Sequence, residues 1–298
     1  MGVSTTRQAD GAAASTKFRF LLTHRRSAQG FLEPLGGEAV EAPSLTMLWI
    51  PPGRFWMGSP EDEPERRSDE GPQHLVQLQG FFLAQTPITQ AQWRQVTQWR
   101  PTKGEGAWNR KLNHDPSHFK GDQLPVDSVS WENAMEFCRR LSQRTGRRYN
   151  LPSEAQWEYA CRAGTTTPFH CGSTISTKLA NYNCNEGYGD GAKGHVRKQT
   201  TDIASFPANP WGLYDMHGNV WEWCADNWHG NYEGAPEDGS AWIDEEVKED
   251  KNSMNVRLLR GGSWRYHPAL CRSAFREGGR PVIRYDGIGF RVCCHPQD

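Results

Sequence analysis

Eight cysteines are the residues of this 298-residue chain best suited to nucleophilic, redox or metal chemistry: Cys138, Cys161, Cys171, Cys184, Cys224, Cys271, Cys293 and Cys294. A structural zinc site needs ligands a few residues apart on one turn, and no C-x-x-C pair occurs. Cys293 and Cys294 are adjacent in a stretch that reads as a strand, so they point to opposite faces and cannot easily chelate one ion. Cys271 lies between Leu270 and Arg272 with no nearby motif to supply a base, so a packed framework thiol is the simpler reading. His114 and His118 have the four-residue spacing of a helical metal pair, but Pro116 between them argues against the helix. No H-E-x-x-H is present. The stretch Glu61 to Gly71, dense in charge, proline and glycine, reads as a solvated loop.

Composition narrows the setting. An apolar content of 36% and a formal net charge of -1 suit one large core, with a domain of about 250 residues as the expectation. Mean hydropathy is low at -0.79, so burial must lean on aromatic rings, 13 of them tryptophan. A sequence-independent nucleic-acid binder needs a clustered Lys/Arg surplus, which is absent. No run approaches the apolar length of a membrane span, and the segment Met1 to Thr16 has no apolar core of a secretory signal. A cytoplasmic location is the default expectation, with cysteines as free, mostly buried thiols.

The elements that would position these groups follow from local patterns. Residues 1–44 are expected to be an N-terminal extension, partly disordered, with Phe18 to Leu22 as a single candidate strand, and the domain to run over 45–298. Leu45 to Ile50 reads as a buried strand ended by Pro51-Pro52-Gly53, with Arg54 to Met57 as its expected hairpin partner. His74 to Leu78 and Phe81 to Leu83 also read as strands. Thr89 caps a helix reaching about Gln98, and Ser130 caps a longer one that Gly146 closes. Ser153-Glu154-Ala155-Gln156 is a capping box, with Gly164 as the stop. Beyond Gly164, Gly, Asn, Asp and Pro alternate with Trp and Tyr, implying long ordered loops around a small sheet. The acidic insertion 231–254 reads as an exposed loop. Strand character resumes at Val256 to Leu259 and Ile288 to Cys293.

Six motifs in order carry a family resemblance: Ile50-Pro51-Pro52-Gly53-Arg54-Phe55-Trp56-Met57-Gly58-Ser59, Pro125-Val126-Asp127-Ser128-Val129-Ser130-Trp131, Leu151 to Ala160, Gly212 to Trp223, Leu259-Arg260-Gly261-Gly262-Ser263-Trp264, and Gly289-Phe290-Arg291-Val292. Together they resemble the formylglycine-generating-enzyme (sulfatase-modifying factor) domain over roughly Leu45 to Cys294. The resemblance implies an α+β, C-type-lectin-like fold with a small antiparallel sheet, two or three helices and long irregular loops. In the oxidase of that family a copper-binding cysteine pair follows the Gly-Gly-Ser motif, since two close soft thiolates select Cu(I). The second position is Cys271 here, but the first is Tyr266. The sulfoxide-synthase branch draws its iron histidines from an upstream helical domain, and the 44 residues upstream here hold only His24.

The third branch is different in kind. The stretch 261–291 resembles the variable region of diversity-generating-retroelement target proteins, in which surface positions of a C-type-lectin scaffold change while framework residues stay. The resemblance implies as ligand-binding candidates Arg265, Tyr266, His267, Ala269, Leu270, Phe275, Gly278, Gly279, Arg280, Val282, Ile283, Tyr285, Asp286 and Gly287, all residue types reachable from an Asn codon by changing adenines. Glu277 is not, and reads as framework. Rigid rings and forked donors are also what antibody loops use. The expected role is a non-enzymatic receptor, a monomer with a protein ligand and no required cofactor. The alternatives are an oxidase or other modifying enzyme using Cys271, an adaptor domain, or an ordinary surface loop. Asp215, Gly218, Val220 and Glu222 match positions where the family can hold a structural calcium ion; the other reading is that the two carboxylates brace the loop without metal. Trp221, Trp223 and Trp264 read as core.

Overall fold

The computed structural model describes residues 27–36, 42–102, 108, 110–244 and 255–296. Chain order begins with β1 (Gly30–Pro34), β2 (Ser44–Ile50), β3 (Gly53–Met57), β4 (His74–Leu78) and β5 (Phe81–Ala84), followed by α1 (Gln90–Gln98) and α2 (Trp131–Thr145). Then come β6 (Tyr149–Asn150), α3 (Glu154–Arg162), β7 (Trp221–Asn227), β8 (Arg257–Arg260), β9 (Arg276–Gly279), β10 (Ile288–Gly289) and β11 (Cys293–Cys294). The α+β architecture expected from the resemblance is present, with long connections between α3 and β7 and between β9 and β10.

All three helix starts arise from local chemistry. Thr89, Ser130 and Ser153 each accept a hydrogen bond from the third backbone N–H of their helix, while Gln92, Asn133 and Gln156 reach back to the cap. Gly146 ends α2 with φ of 75°, a left-handed conformation that only glycine adopts without strain.

Strand pairing departs from local expectation. β2 pairs with β1 and β5, in the sheet ordered β1-β2-β5-β11-β6. β3 is not the hairpin partner of β2; it pairs with β4 in a separate two-stranded sheet. Pro51 and Pro52 have no N–H for a ladder, so the chain leaves the first sheet there. Gly53 then passes so close to the Tyr159 hydroxyl that a Cβ would sit 2.2 Å from it. The ordered sheet also begins before Leu45, because β1 lies inside the segment read as an extension. Its pattern is weak for a physical reason: as an edge strand it buries little beyond Leu32's neighbours Phe31 and Glu33. Phe18 to Leu22 and residues 245–254 lie outside the described residues.

β7 crosses the molecule fully buried, pairing antiparallel with β8 and parallel with β10 in the sheet β10-β7-β8-β9. Cys294 joins the core around Trp93, Phe137, Trp223 and Phe290, while Cys293 joins the core around Trp157, Phe81 and Leu258. Their opposite facing stands as read. Trp221, Trp223 and Trp264 are buried as expected. Among the described residues no helix is long and apolar enough to cross a membrane.

Candidate ligand-binding surface

Four arginines in and around the C-terminal stretch, Arg260, Arg272, Arg276 and Arg291, are each 0% exposed. A buried guanidinium is tolerable only with its charge matched and its five donors used. Arg272 bonds Glu63 at 2.5 Å and Glu70 at 2.7 and 2.5 Å, and also the Glu65 carbonyl at 2.9 Å. Arg276 forks onto Glu154 at 2.6 and 2.9 Å. Arg260 pairs with Glu158 and bonds the Ser273 and Ala274 carbonyls at 2.8 Å each. Arg291 forks onto Glu222 at 2.6 and 2.8 Å.

These pairs overturn one expectation. The stretch Glu61 to Gly71 is not merely solvated, because Glu63, Asp69 and Glu70 are buried and hold the C-terminal segment. Sequence reasoning missed them since a carboxylate's partner 209 residues away leaves no local signal. The only available hint was the set of arginines between the changeable positions, each of which would need an acid if buried.

On this frame the candidate residues divide. Arg265, Tyr266, Arg280, Val282 and Tyr285 are exposed, and His267, Leu270, Gly278, Ile283 and Asp286 are half-buried. Ala269, Phe275, Gly279 and Gly287 are buried, so they support the surface rather than present it. Ala269 faces inward because it lies in the 3-10 turn Pro268–Cys271, which packs on Phe169, Tyr182 and Tyr188. Phe275 packs 6.0 Å from Trp221, under the Arg67 guanidinium at 5.2 Å. Tyr266 stands edge-on to Trp221 at 5.6 Å, and Arg265 pairs with Asp286 at 2.6 Å. His267 lies 3.7 Å from Glu65 and 3.9 Å from Glu186.

Cys271 lies beneath this face, fully buried. Burial, and then the nearby Cys161 thiol, push its ionisation well above the usual thiol range. The histidine below it, His217, is already occupied. His217 faces the Cys271 carbonyl through Nδ1 at 2.7 Å and takes the His170 backbone N–H on Nε2 at 3.1 Å. That pairing fixes a neutral ring with no free lone pair, and burial holds its pKa well below the ordinary value. Cys161, also fully buried, is pushed up to about 12, again chiefly by desolvation. Of the eight thiols only Cys171 is exposed. Partial burial raises the Cys171 thiol as well, so a disulfide-exchange reagent at pH 8 is expected to label Cys171 before the other seven in the native chain, mapped by mass spectrometry; earlier labelling of Cys271 would contradict the geometry.

The calcium candidates also separate. Glu222 has both oxygens on Arg291 and accepts the Trp157 indole N–H at 2.9 Å. Asp215 takes the Ala204 backbone N–H at 2.9 Å. Gly218 donates to the Gly261 carbonyl at 2.7 Å, and Val220 is buried. No group of three or more His, Cys, Asp or Glu side chains is placed to hold a metal among the described residues. Both Glu222 oxygens are thus engaged by neighbouring donors, while Asp215 uses Oδ2 on the Ala204 N–H.

Residues 35–295 match the model of the sulfatase-modifying factor enzyme 1-like domain. The chain belongs to that family. It is 29% identical over 301 residues to the serine/threonine-protein kinase pkn1 of Chlamydia caviae, covering 95% of this chain and 43% of that protein. The chain thus spans less than half the length of that relative. It is 27% identical to the formylglycine-generating enzyme of Mus musculus, covering 82% of this chain and 74% of the enzyme. PvdO from Pseudomonas aeruginosa has the same fold, with a TM-score of 0.69 and 32% identity over 91% of this chain and all of PvdO. Treponema denticola variable protein 1 shares the fold at a TM-score of 0.64 and 22% identity, over 91% of this chain and all of that protein. Within this sulfatase-modifying-factor domain, Tyr266 presents its phenol at the surface while Cys271 is sealed below.

Proposed function

We propose that this member of the sulfatase-modifying-factor family is a binding protein that recognises a protein ligand through its C-terminal surface, and that this surface is diversified. The observation that carries the reading is the contrast across one segment: Tyr266 is exposed, while Cys271 and the four arginines of the frame are fully buried. Oxidase chemistry would need an accessible soft-ligand pair, and a phenol above a desolvated thiol does not make one. A receptor needs adaptable side chains on a rigid support, which the outward set Arg265, Tyr266, Arg280, Val282 and Tyr285 has.

The test is a library randomised at those five positions, scored for folding and then for capture of protein targets. Folding is expected to survive, with melting temperatures within a few degrees, and binders of differing specificity to emerge. Beside the gene, a reverse transcriptase and a near-copy of the DNA for 261–291 differing at adenines are expected. Conversion of a cysteine-containing sulfatase-type peptide to formylglycine by the purified chain, with copper and oxygen, would sink the reading.

A further inference from the structure

Between the Gly-Gly-Ser-Trp motif and the loop before α2, one of the chain's own cations pairs with a carboxylate over an indole ring. Arg265 donates to the Asp286 carboxylate at 2.6 Å and lies over the Trp264 ring at 4.8 Å. Trp264 is held in place from two sides: its indole N–H donates to the Asp286 carbonyl at 3.0 Å, and Phe119 packs edge-on at 5.6 Å. A second carboxylate, Asp127, lies in the loop before α2, within reach of the Asp286 charge. Asp127 is fully buried, with Oδ1 taking the His118 backbone N–H at 2.9 Å and the Ser128 hydroxyl at 2.8 Å, while Oδ2 has no hydrogen-bond partner. The next residue ties this loop to the face, since the Ser128 N–H donates to the Tyr285 carbonyl at 3.1 Å.

An aromatic wall and a hydrogen-bonding carboxylate form the chemistry that selects a planar delocalised cation. We propose that Trp264 and Asp286 form a guanidinium subsite, which Arg265 fills in the free protein and an arginine side chain of a protein partner fills in the complex. The proposal deepens the receptor reading and rests on it for the partner, but the subsite itself can be measured without one. Arg265 is the removable part: its side chain is 54% exposed, and an exposed pair contributes little to folding. Trp264 and Asp127 belong to the fixed scaffold. A different residue at position 265 would therefore leave the subsite open to an incoming arginine.

The experiment compares the full chain with Arg265→Ala, titrating each with Nα-acetyl-arginine amide and following the Trp264 indole N–H by NMR. The capped arginine is expected to bind Arg265→Ala at least tenfold more tightly than the unsubstituted chain. The gain should disappear in Arg265→Ala/Asp286→Asn, which keeps the backbone carbonyl that Trp264 uses. A capped glutamate amide should bind neither protein. Equal affinity in the two proteins, a gain that survives Asp286→Asn, or equal binding of the capped glutamate would each overturn the subsite. Arg265→Gln, which retains the stem, replaces the alanine variant if that one misfolds. Failure here leaves the library result untouched, and failure to capture a protein target leaves this titration untouched.

Discussion

Arg272→Met is expected to lower stability by about 3–5 kcal/mol, read as a reduced midpoint in urea at unchanged slope. Removing the guanidinium leaves Glu63 and Glu70 buried beside each other without a counter-charge, and both are almost wholly shielded from water. Neutralising them together, in Arg272→Met/Glu63→Gln/Glu70→Gln, should restore part of the loss, because the cost lies in the unpaired charges more than in the missing contact. Arg265→Ala provides the contrast. Its ion pair is half-exposed, and the expected change is within about 1 kcal/mol. Equal effects of Arg272→Met and Arg265→Ala would refute the division into frame and face.

Glu222→Gln is the second large effect, again about 3–5 kcal/mol, since it strands the buried Arg291 charge and weakens the bond to the Trp157 indole. The same substitution discriminates between a brace and a calcium ligand. As a brace, its cost measured by thermal or urea unfolding should be identical in EDTA and in millimolar calcium. A cost that appears only with calcium would return Glu222 to a metal site.

The difference between what was legible in the sequence and what was not follows the distance between partners. Thr89, Ser130 and Ser153 were readable as helix starts because the groups they satisfy lie within three residues. The six motifs fixed the family and fold because they are short and occur in order. The pairing of β3 with β4 was not readable, as proline removes the local hairpin and a strand beginning at His74 replaces it. Within the surface, residue type suggested which positions could change, but burial depended on packing: Phe275 goes under Arg67 and Ala269 onto the Tyr182 cluster. The role of Glu63 and Glu70 required the folded chain, since a solvated acidic loop and one clamped on an arginine have the same composition.

The buried arginines also constrain the order in which the molecule can assemble. Arg272 meets a partner 209 positions earlier, Arg276 one 122 earlier, Arg260 one 102 earlier and Arg291 one 69 earlier. Each contact closes a long loop whose entropy must be lost before the contact forms. During synthesis these arginines emerge after every acid they need, so the C-terminal face can set only once the strands and loops before it are nearly complete. A molecule that binds that face in its native shape would therefore report on completed folding, and should ignore chains still on the way there.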